Sequence, residues 1–308
     1  MAIPKNTAVL LLAHGSPDSV DEVPEFLLQV TGGRTLPEQV IEEVKHRYGL
    51  IGQSPLTCWT REQGDRLFRE LGLPVYIGMR NWKPFIADAV RSMSEAGITR
   101  VIAICLAPQN SRTSVGLYRN VLNKAINDYL TGVSCEVDFV EAWHSHPFLI
   151  KAFAEKLLSG WSDACREMKS SVPVIFTAHS VPQRTIADGD PYETQAKETA
   201  ALVAREILLR DDDWTFAFQS QGMSGGAWLG PTVEETILSL KAEGHESVFV
   251  QPVGFVCDHV EVLYDIDIAF KQFAKGENMV LFRSESLNGS PLLTAALADI
   301  VRSRMNLN

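Results

Sequence analysis

Two stretches, Ala8-Val9-Leu10-Leu11-Leu12-Ala13-His14-Gly15-Ser16-Pro17 and Val174-Ile175-Phe176-Thr177-Ala178-His179-Ser180-Val181-Pro182, share one grammar. A short apolar run ends in Ala-His, and turn-forming residues and a proline follow. Such a run reads as a strand buried on both faces, as in a parallel sheet. In open α/β sheets, ligands collect just beyond the carboxyl ends of the strands. The pattern therefore sets one imidazole at each of two equivalent site-forming edges. It predicts two halves facing each other across a cleft, with His14 on one wall and His179 on the other.

Outward from these strands, apolar runs alternate with amphipathic stretches. Strands are predicted at 8–13, 74–78, 101–107, 136–142, 172–178, 214–219, 247–253 and 279–282. Helices are predicted at 20–30, 37–48, 60–72, 84–96, 115–131, 147–160, 192–210, 231–243, 259–274 and 290–305. This order implies an α/β protein of two Rossmann-like halves, 1–160 and 161–308, each a parallel sheet flanked by helices. An internal repeat supports the division. Pro84, Ser92, Gly97 and Val101 recur as Pro231, Ser239, Gly244 and Val248, each spaced 147 residues from its counterpart. Proline is expected in the first turn of each helix and glycine at its end, where the backbone turns left-handed. No low-complexity linker separates the halves, so 1–308 is expected to pack as one unit.

Composition narrows the function. The chain has 308 residues, 45% of them hydrophobic, and a formal net charge of −10. No basic stripe is available for phosphates, which argues against nucleic acid as a partner. No apolar run approaches the length of a membrane span, while peripheral contact with a membrane is left open. Ala8 to Ala13 is too short for a signal peptide. Five scattered cysteines without C-x-x-C spacing fit neither a disulfide framework nor a zinc site, and point to a reducing cytoplasm. Cys105 and Cys257 read as core residues.

Three segments carry candidate chemistry. In Asp258-His259-Val260-Glu261-Val262-Leu263-Tyr264-Asp265, Glu261 and Asp265 stand four apart, on one helical face. Asp258 and Glu261 also fit a capping box, which would make both purely structural. Imidazole and carboxylate together suit a divalent first-row metal, and both accept protons near neutral pH. The glycine-rich loop 219–231 matches no phosphate-binding fingerprint, and Trp228 within it suggests an aromatic wall for a flat ligand. Trp82 is either its counterpart or a core residue. Arg47, at the end of a helix, either complements the helix dipole or receives a ligand carboxylate. His144 and His146 read as structural.

Taken together the chain resembles the ferrochelatases. The resemblance rests on Thr177-Ala178-His179-Ser180-Val181-Pro182, Gly189-Asp190-Pro191-Tyr192, Trp228-Leu229-Gly230-Pro231 and the segment from Val253 to Asp265. Arg47-Tyr48, Gly52 to Leu56 and Leu106-Ala107-Pro108 also match. It implies the chelatase fold, with a porphyrin between the halves, and an enzyme that inserts Fe²⁺ into that porphyrin in haem biosynthesis. It implies that His179 and Glu261 act on the metal and on the pyrrole protons. Arg47, Tyr48, Ser54 and Tyr118 match the family's porphyrin contacts, Trp228 and the loop around Ser224 belong to the porphyrin packing, and Asp265 is an acid for metal entry. Where relatives often carry a tyrosine or an apolar residue, this chain has His14, which can bind the porphyrin and ligate the product iron axially. A contact arginine of some relatives is Thr31 here, and a further glutamate of the acidic row is Ala269. The tail from Ala296 has no cysteine, so no iron–sulfur cluster and no prosthetic group are expected. The compact length looks more like the bacterial forms that metallate coproporphyrin III than those that use protoporphyrin IX. A cytoplasmic monomer is expected. Cobalt or nickel insertion into another tetrapyrrole, and a non-catalytic porphyrin carrier, are the competing readings.

Overall fold

A computed structural model describes residues 6–130, 135–222 and 226–306. In chain order the first elements are β1 (Thr7–Ala13), α1 (Val23–Val30), α2 (Glu38–Ile51), α3 (Leu56–Leu71), β2 (Val75–Met79), α4 (Ile86–Glu95), β3 (Arg100–Cys105), α5 (Val115–Tyr129) and β4 (Glu136–Val140). There follow α6 (Pro147–Met168), β5 (Val174–His179), α7 (Gln183–Ala187), α8 (Tyr192–Glu206), β6 (Trp214–Gln219), α9 (Val233–Ala242), β7 (Ser247–Pro252), α10 (Val260–Leu263), a π-helical turn (Asp265–Phe270), α11 (Lys271–Gly276), β8 (Val280–Arg283) and α12 (Pro291–Arg304).

The strands form two four-stranded sheets, ordered β2-β1-β3-β4 and β6-β5-β7-β8. All pairings within them are parallel, and the order is the same in both. The chain falls into two compact units. One comprises Met1–Ala107, Ser114–Ala142 and Asn288–Asn308, the other Pro108–Thr113 and Trp143–Leu287. These bounds differ from contiguous halves meeting at residue 160. α6 belongs to the second unit from its start, and α12 returns to the first, where it packs on α3.

In the first unit, alternate residues of β1 face opposite ways. Ala8, Leu10 and Leu12 meet Val90 and Met93 of α4 and Val115 and Leu122 of α5. α3 packs on the sheet formed by β1 and β2. The second unit repeats this. Ile175, Val248 and Val250 meet Ile237 of α9 and Val262, Ile266 and Phe270, while α6 and α8 pack together and contact β7 and β6 respectively. Each fully buried Leu, Val or Ile contributes roughly 1.5–3 kcal/mol by leaving water, and these two-faced strands supply several such residues to each unit.

The repeat extends to the details of chain direction. Pro84 and Pro231 both follow cis peptide bonds. The expectation that each proline sits in the first turn of its helix is not met. Each lies two residues before it, with Phe85 or Thr232 as the cap. Their carbonyls instead extend the sheet, accepting from the N–H of Met79 at 2.7 Å and of Phe218 at 2.8 Å. Gly97 and Gly244, just past the helix ends, take φ of +69° and +94° as the pattern requires. Among the described residues no helix is long and apolar enough to cross a membrane.

Candidate active site

In the second unit, β5 ends on His179. The ring's Nδ1 faces the carbonyl of Ser180, and since a carbonyl only accepts, Nδ1 carries the proton. That fixes the tautomer and turns Nε2 outward, where it lies 3.5 Å from Glu261 Oε1. The other oxygen, Oε2, lies 3.6 Å from Nε2 of His259. His259 repeats the device, its Nδ1 donating to the Cys257 carbonyl at 3.0 Å. Two imidazoles thus present Nε2 to the two oxygens of one carboxylate. Attraction in this arrangement requires a proton shared within the trio. Burial opposes charge on His259, but the hydrogen bond to Glu261 and its negative charge outweigh it, and the pKa of His259 is raised.

Neighbouring elements hold this arrangement. Gln219, at the end of β6 and buried, accepts from Thr177 Oγ1 at 2.7 Å and donates to the Glu261 carbonyl at 2.9 Å. It ties β5 to the start of α10. Tyr192 donates its hydroxyl to the His179 carbonyl at 2.9 Å, and burial raises the phenol's pKa, keeping it a donor. Gly254 lets the chain after β7 cross close to β5: a Cβ there would lie 2.9 Å from that of Ala178. Asp265 opens the π turn and accepts from the Ser220 hydroxyl. Behind the turn, Arg283 grips Asp267 at 2.7 and 2.9 Å and approaches Asp258 at 3.5 Å. Asp258 also accepts from Ser286 at 2.7 Å. The cap residue of α10 is His259, one position beyond the Asp258 that the capping-box alternative requires.

In the first unit, β1 leads to His14, which is exposed. Its Nδ1 donates to the Gly15 carbonyl at 3.0 Å, the same bond that His179 makes. Here, however, Nε2 meets the side-chain amide of Asn81 at 2.9 Å. Gly15 has φ of +85°, and a Cβ there would lie 2.8 Å from the Trp82 nitrogen. Phe26 sets its ring edge-to-face against His14, Tyr48 and Trp82. Tyr48 is buried and its hydroxyl pairs with Ser16 at 3.0 Å. Trp82 is fully buried, a core residue rather than a counterpart of Trp228. Tyr118 lies in the core of this unit under the Arg80 guanidinium, 5.5 Å from the ring centre. Arg47 is held by Glu43 at 3.0 Å. Ser54 precedes α3 and lines a depression of about 470 Å³ with Arg61, and among the described residues its buried hydroxyl has no hydrogen-bond partner.

The structure therefore brings His179 and Glu261 together, places Asp265 on the adjoining turn, and groups His14 with Tyr48 through Phe26. Trp228 is half-buried beyond β6, where its ring would meet a Cβ on Gly222 at 2.7 Å. Ser224 lies outside the described residues. Among the described residues, no group of three His, Cys, Asp or Glu is placed to hold a metal ion.

A family model described as ferrochelatase matches residues 6–305. The chain belongs to the ferrochelatase family. It is 52% identical to a ferrochelatase of Acidobacterium capsulatum, over 98% of this chain and 95% of that protein. It is 38% identical to a ferrochelatase of Deinococcus radiodurans, over 97% of this chain and 96% of the relative. A Geobacillus protein named coproporphyrin III ferrochelatase is 34% identical, over 98% and 99%. Among solved structures, the sirohydrochlorin chelatase SirB from Bacillus subtilis subspecies spizizenii, in complex with cobalt, superposes with a TM-score of 0.59. That match covers 97% of this chain and 94% of SirB at 13% identity, and speaks for the chelatase fold alone. As a ferrochelatase the chain is a metal-chelating enzyme. Three residues of this ferrochelatase's two histidine turns escaped the sequence reading: His259, Gln219 and Asn81. His259 had a signal, the His-x-Glu spacing to Glu261. Gln219 and Asn81 had none, because each is a single amide that only the fold delivers to its partner.

Proposed function

We propose that this ferrochelatase inserts ferrous iron into coproporphyrin III to give Fe-coproporphyrin III. The observation that carries the reading is the pairing of His179 Nε2 with Glu261 at 3.5 Å, with His259 on the second oxygen. The reaction breaks two pyrrole N–H bonds, forms four Fe–N bonds and releases two protons, while the iron stays ferrous. A group beside the macrocycle must accept protons and hold Fe²⁺ as it sheds water. His179 suits both tasks, because its Nδ1 proton is committed to Ser180 and Nε2 is turned outward. Glu261 balances the charge of the incoming metal and can accept a proton, and His259 gives that carboxylate a second imidazole to share it with. Asp265 offers oxygen ligands on the approach, with Ala269 in place of a further acid. The indole of Trp228 supplies a flat wall, and tight packing of the rest of the ring can drive the bend that points nitrogen lone pairs at the metal.

Coproporphyrin carries four carboxylates and needs anion-receiving groups. Arg47 and the Ser54 hydroxyl at the N-terminus of α3 are of that kind, Tyr48 and Tyr118 belong to the same unit, and His14 supplies a nitrogen for the product iron. The name of the Geobacillus relative supports the same substrate. We place the reaction in the cytoplasm, where the cysteines stay reduced, and expect a monomer with no prosthetic group. Mixing the protein anaerobically with Fe²⁺ and each porphyrin, and following visible spectra, tests the reading. Metallation of coproporphyrin III at least tenfold faster than of protoporphyrin IX is expected. The reverse preference overturns the substrate. Binding without any acceleration of metallation makes the chain a porphyrin carrier.

A further inference from the structure

His14 and Asn81 are joined twice. The backbone N–H of Asn81 donates to the His14 carbonyl at 2.9 Å, and its side-chain amide lies 2.9 Å from His14 Nε2. An amide nitrogen donates and does not accept, so Nε2 contributes its lone pair. Nδ1 is already committed as donor to the Gly15 carbonyl. The ring is thereby held as the neutral Nδ1–H tautomer, the form an imidazole needs in order to bind a metal through Nε2. Yet the same lone pair is capped. Asn81 is 3% exposed, two residues past the end of β2, and its backbone is fixed by the bond to His14. It is therefore a built partner and not a passing contact. His179 makes the contrast: its Nδ1 bond is the same, but its Nε2 faces a carboxylate.

We propose that Asn81 is a positioning residue that sets His14 up as a weak, reversible axial ligand for the iron of the product. The inference rests on the porphyrin reading above. Asn81 selects the ligating tautomer, and iron must then displace its amide to reach Nε2. Losing one hydrogen bond on ligation weakens the Fe–His14 bond roughly three- to tenfold. An enzyme that must release a metallated porphyrin gains from such a ligand, because a strong axial bond would retain the product.

Two measurements test this on the full chain. In the porphyrin-free protein, ¹⁵N NMR of the His14 ring is expected to show the proton on Nδ1 and Nε2 accepting a hydrogen bond. A proton on Nε2 overturns the inference by itself. Ferric Fe-coproporphyrin III and metal-free coproporphyrin III are then titrated into wild type, Asn81→Ala and His14→Ala. Wild type is expected to give a histidine-ligated spectrum that His14→Ala loses. Asn81→Ala is expected to bind the iron porphyrin three- to tenfold tighter, with metal-free binding unchanged. Equal shifts for both porphyrins mean a structural role and overturn the proposal, as does a histidine-ligated spectrum that survives His14→Ala. If wild type binds neither porphyrin while the tautomer is as stated, the substrate reading fails, and axial ligation fails with it.

Discussion

The turn after β1 and the turn after β5 begin alike and end differently. Both close an apolar strand with Ala-His, and both histidines send Nδ1–H to the next residue's carbonyl. The difference lies in what the fold delivers to Nε2. In the first unit it is Asn81, a neutral donor from the end of β2. In the second it is Glu261, an anionic acceptor from α10, with His259 behind it. A neutral donor can select a tautomer and temper a ligand. A carboxylate can exchange protons and attract a cation. On the proposed function, one backbone position serves binding in one unit and proton chemistry in the other, and the side chain that distinguishes them comes from far away in sequence.

The comparison can be broken most severely at the rings themselves. His179→Ala is expected to lower anaerobic iron insertion by roughly 10² to 10⁴, the usual worth of a positioned acid–base group. His14→Ala should stay within tenfold of wild type. Comparable losses would make the two turns chemically equivalent. Next come the glycines that let each turn form. Gly15→Ala adds a Cβ 2.8 Å from backbone at a positive φ, and Gly254→Ala adds one 2.9 Å from Ala178. Each is expected to cost about 1–3 kcal/mol in denaturant unfolding, and wild-type stability in either would show the close approach to be slack. Gln219→Ala leaves the Thr177 hydroxyl and the Glu261 carbonyl without this partner. A loss of about 1–3 kcal/mol is expected, with turnover falling more than porphyrin binding. The smallest effect belongs to Glu43→Ala, which removes the exposed partner of Arg47. Chemical unfolding should change by less than about 1 kcal/mol.

Most of the sheet framework was legible because its strands are buried on both faces. Runs such as 101–107 and 247–253 mark β3 and β7 within two residues. Helix bounds were less legible, for local reasons. The predicted helix 147–160 ends at Gly160, yet α6 continues to Met168. A Cβ at Gly160 would lie 3.0 Å from the Phe249 ring, so that glycine serves helix–strand packing and not termination. The span 259–274 reads as one α-helix but holds a π turn at Asp265–Phe270. Val262, Ile266, Phe270 and Ala274 are all buried at a spacing of four, and that spacing does not betray the wider turn. Of the candidate site, His14 and His179 were legible because each closes an apolar strand run, and Glu261 through its spacing of four from Asp265 on one helical face. Trp82 was ambiguous, because an aromatic beside a turn looks alike in sequence whether it lines a site or fills a core. The return of α12 to the first unit had no signal, since a C-terminal amphipathic helix carries no mark of which sheet it covers.

The central claim is that proton and metal chemistry resides in the His179–Glu261 pair. The most direct measurement is an anaerobic single-turnover reaction of Glu261→Gln with Fe²⁺ and coproporphyrin III, alongside a titration with the metal-free porphyrin. The variant keeps the shape of the side chain and removes its charge and basicity. Metallation slowed at least a hundredfold, with porphyrin affinity within about threefold of wild type, is the predicted result. Metallation at the wild-type rate would contradict it and move the chemistry elsewhere in the protein.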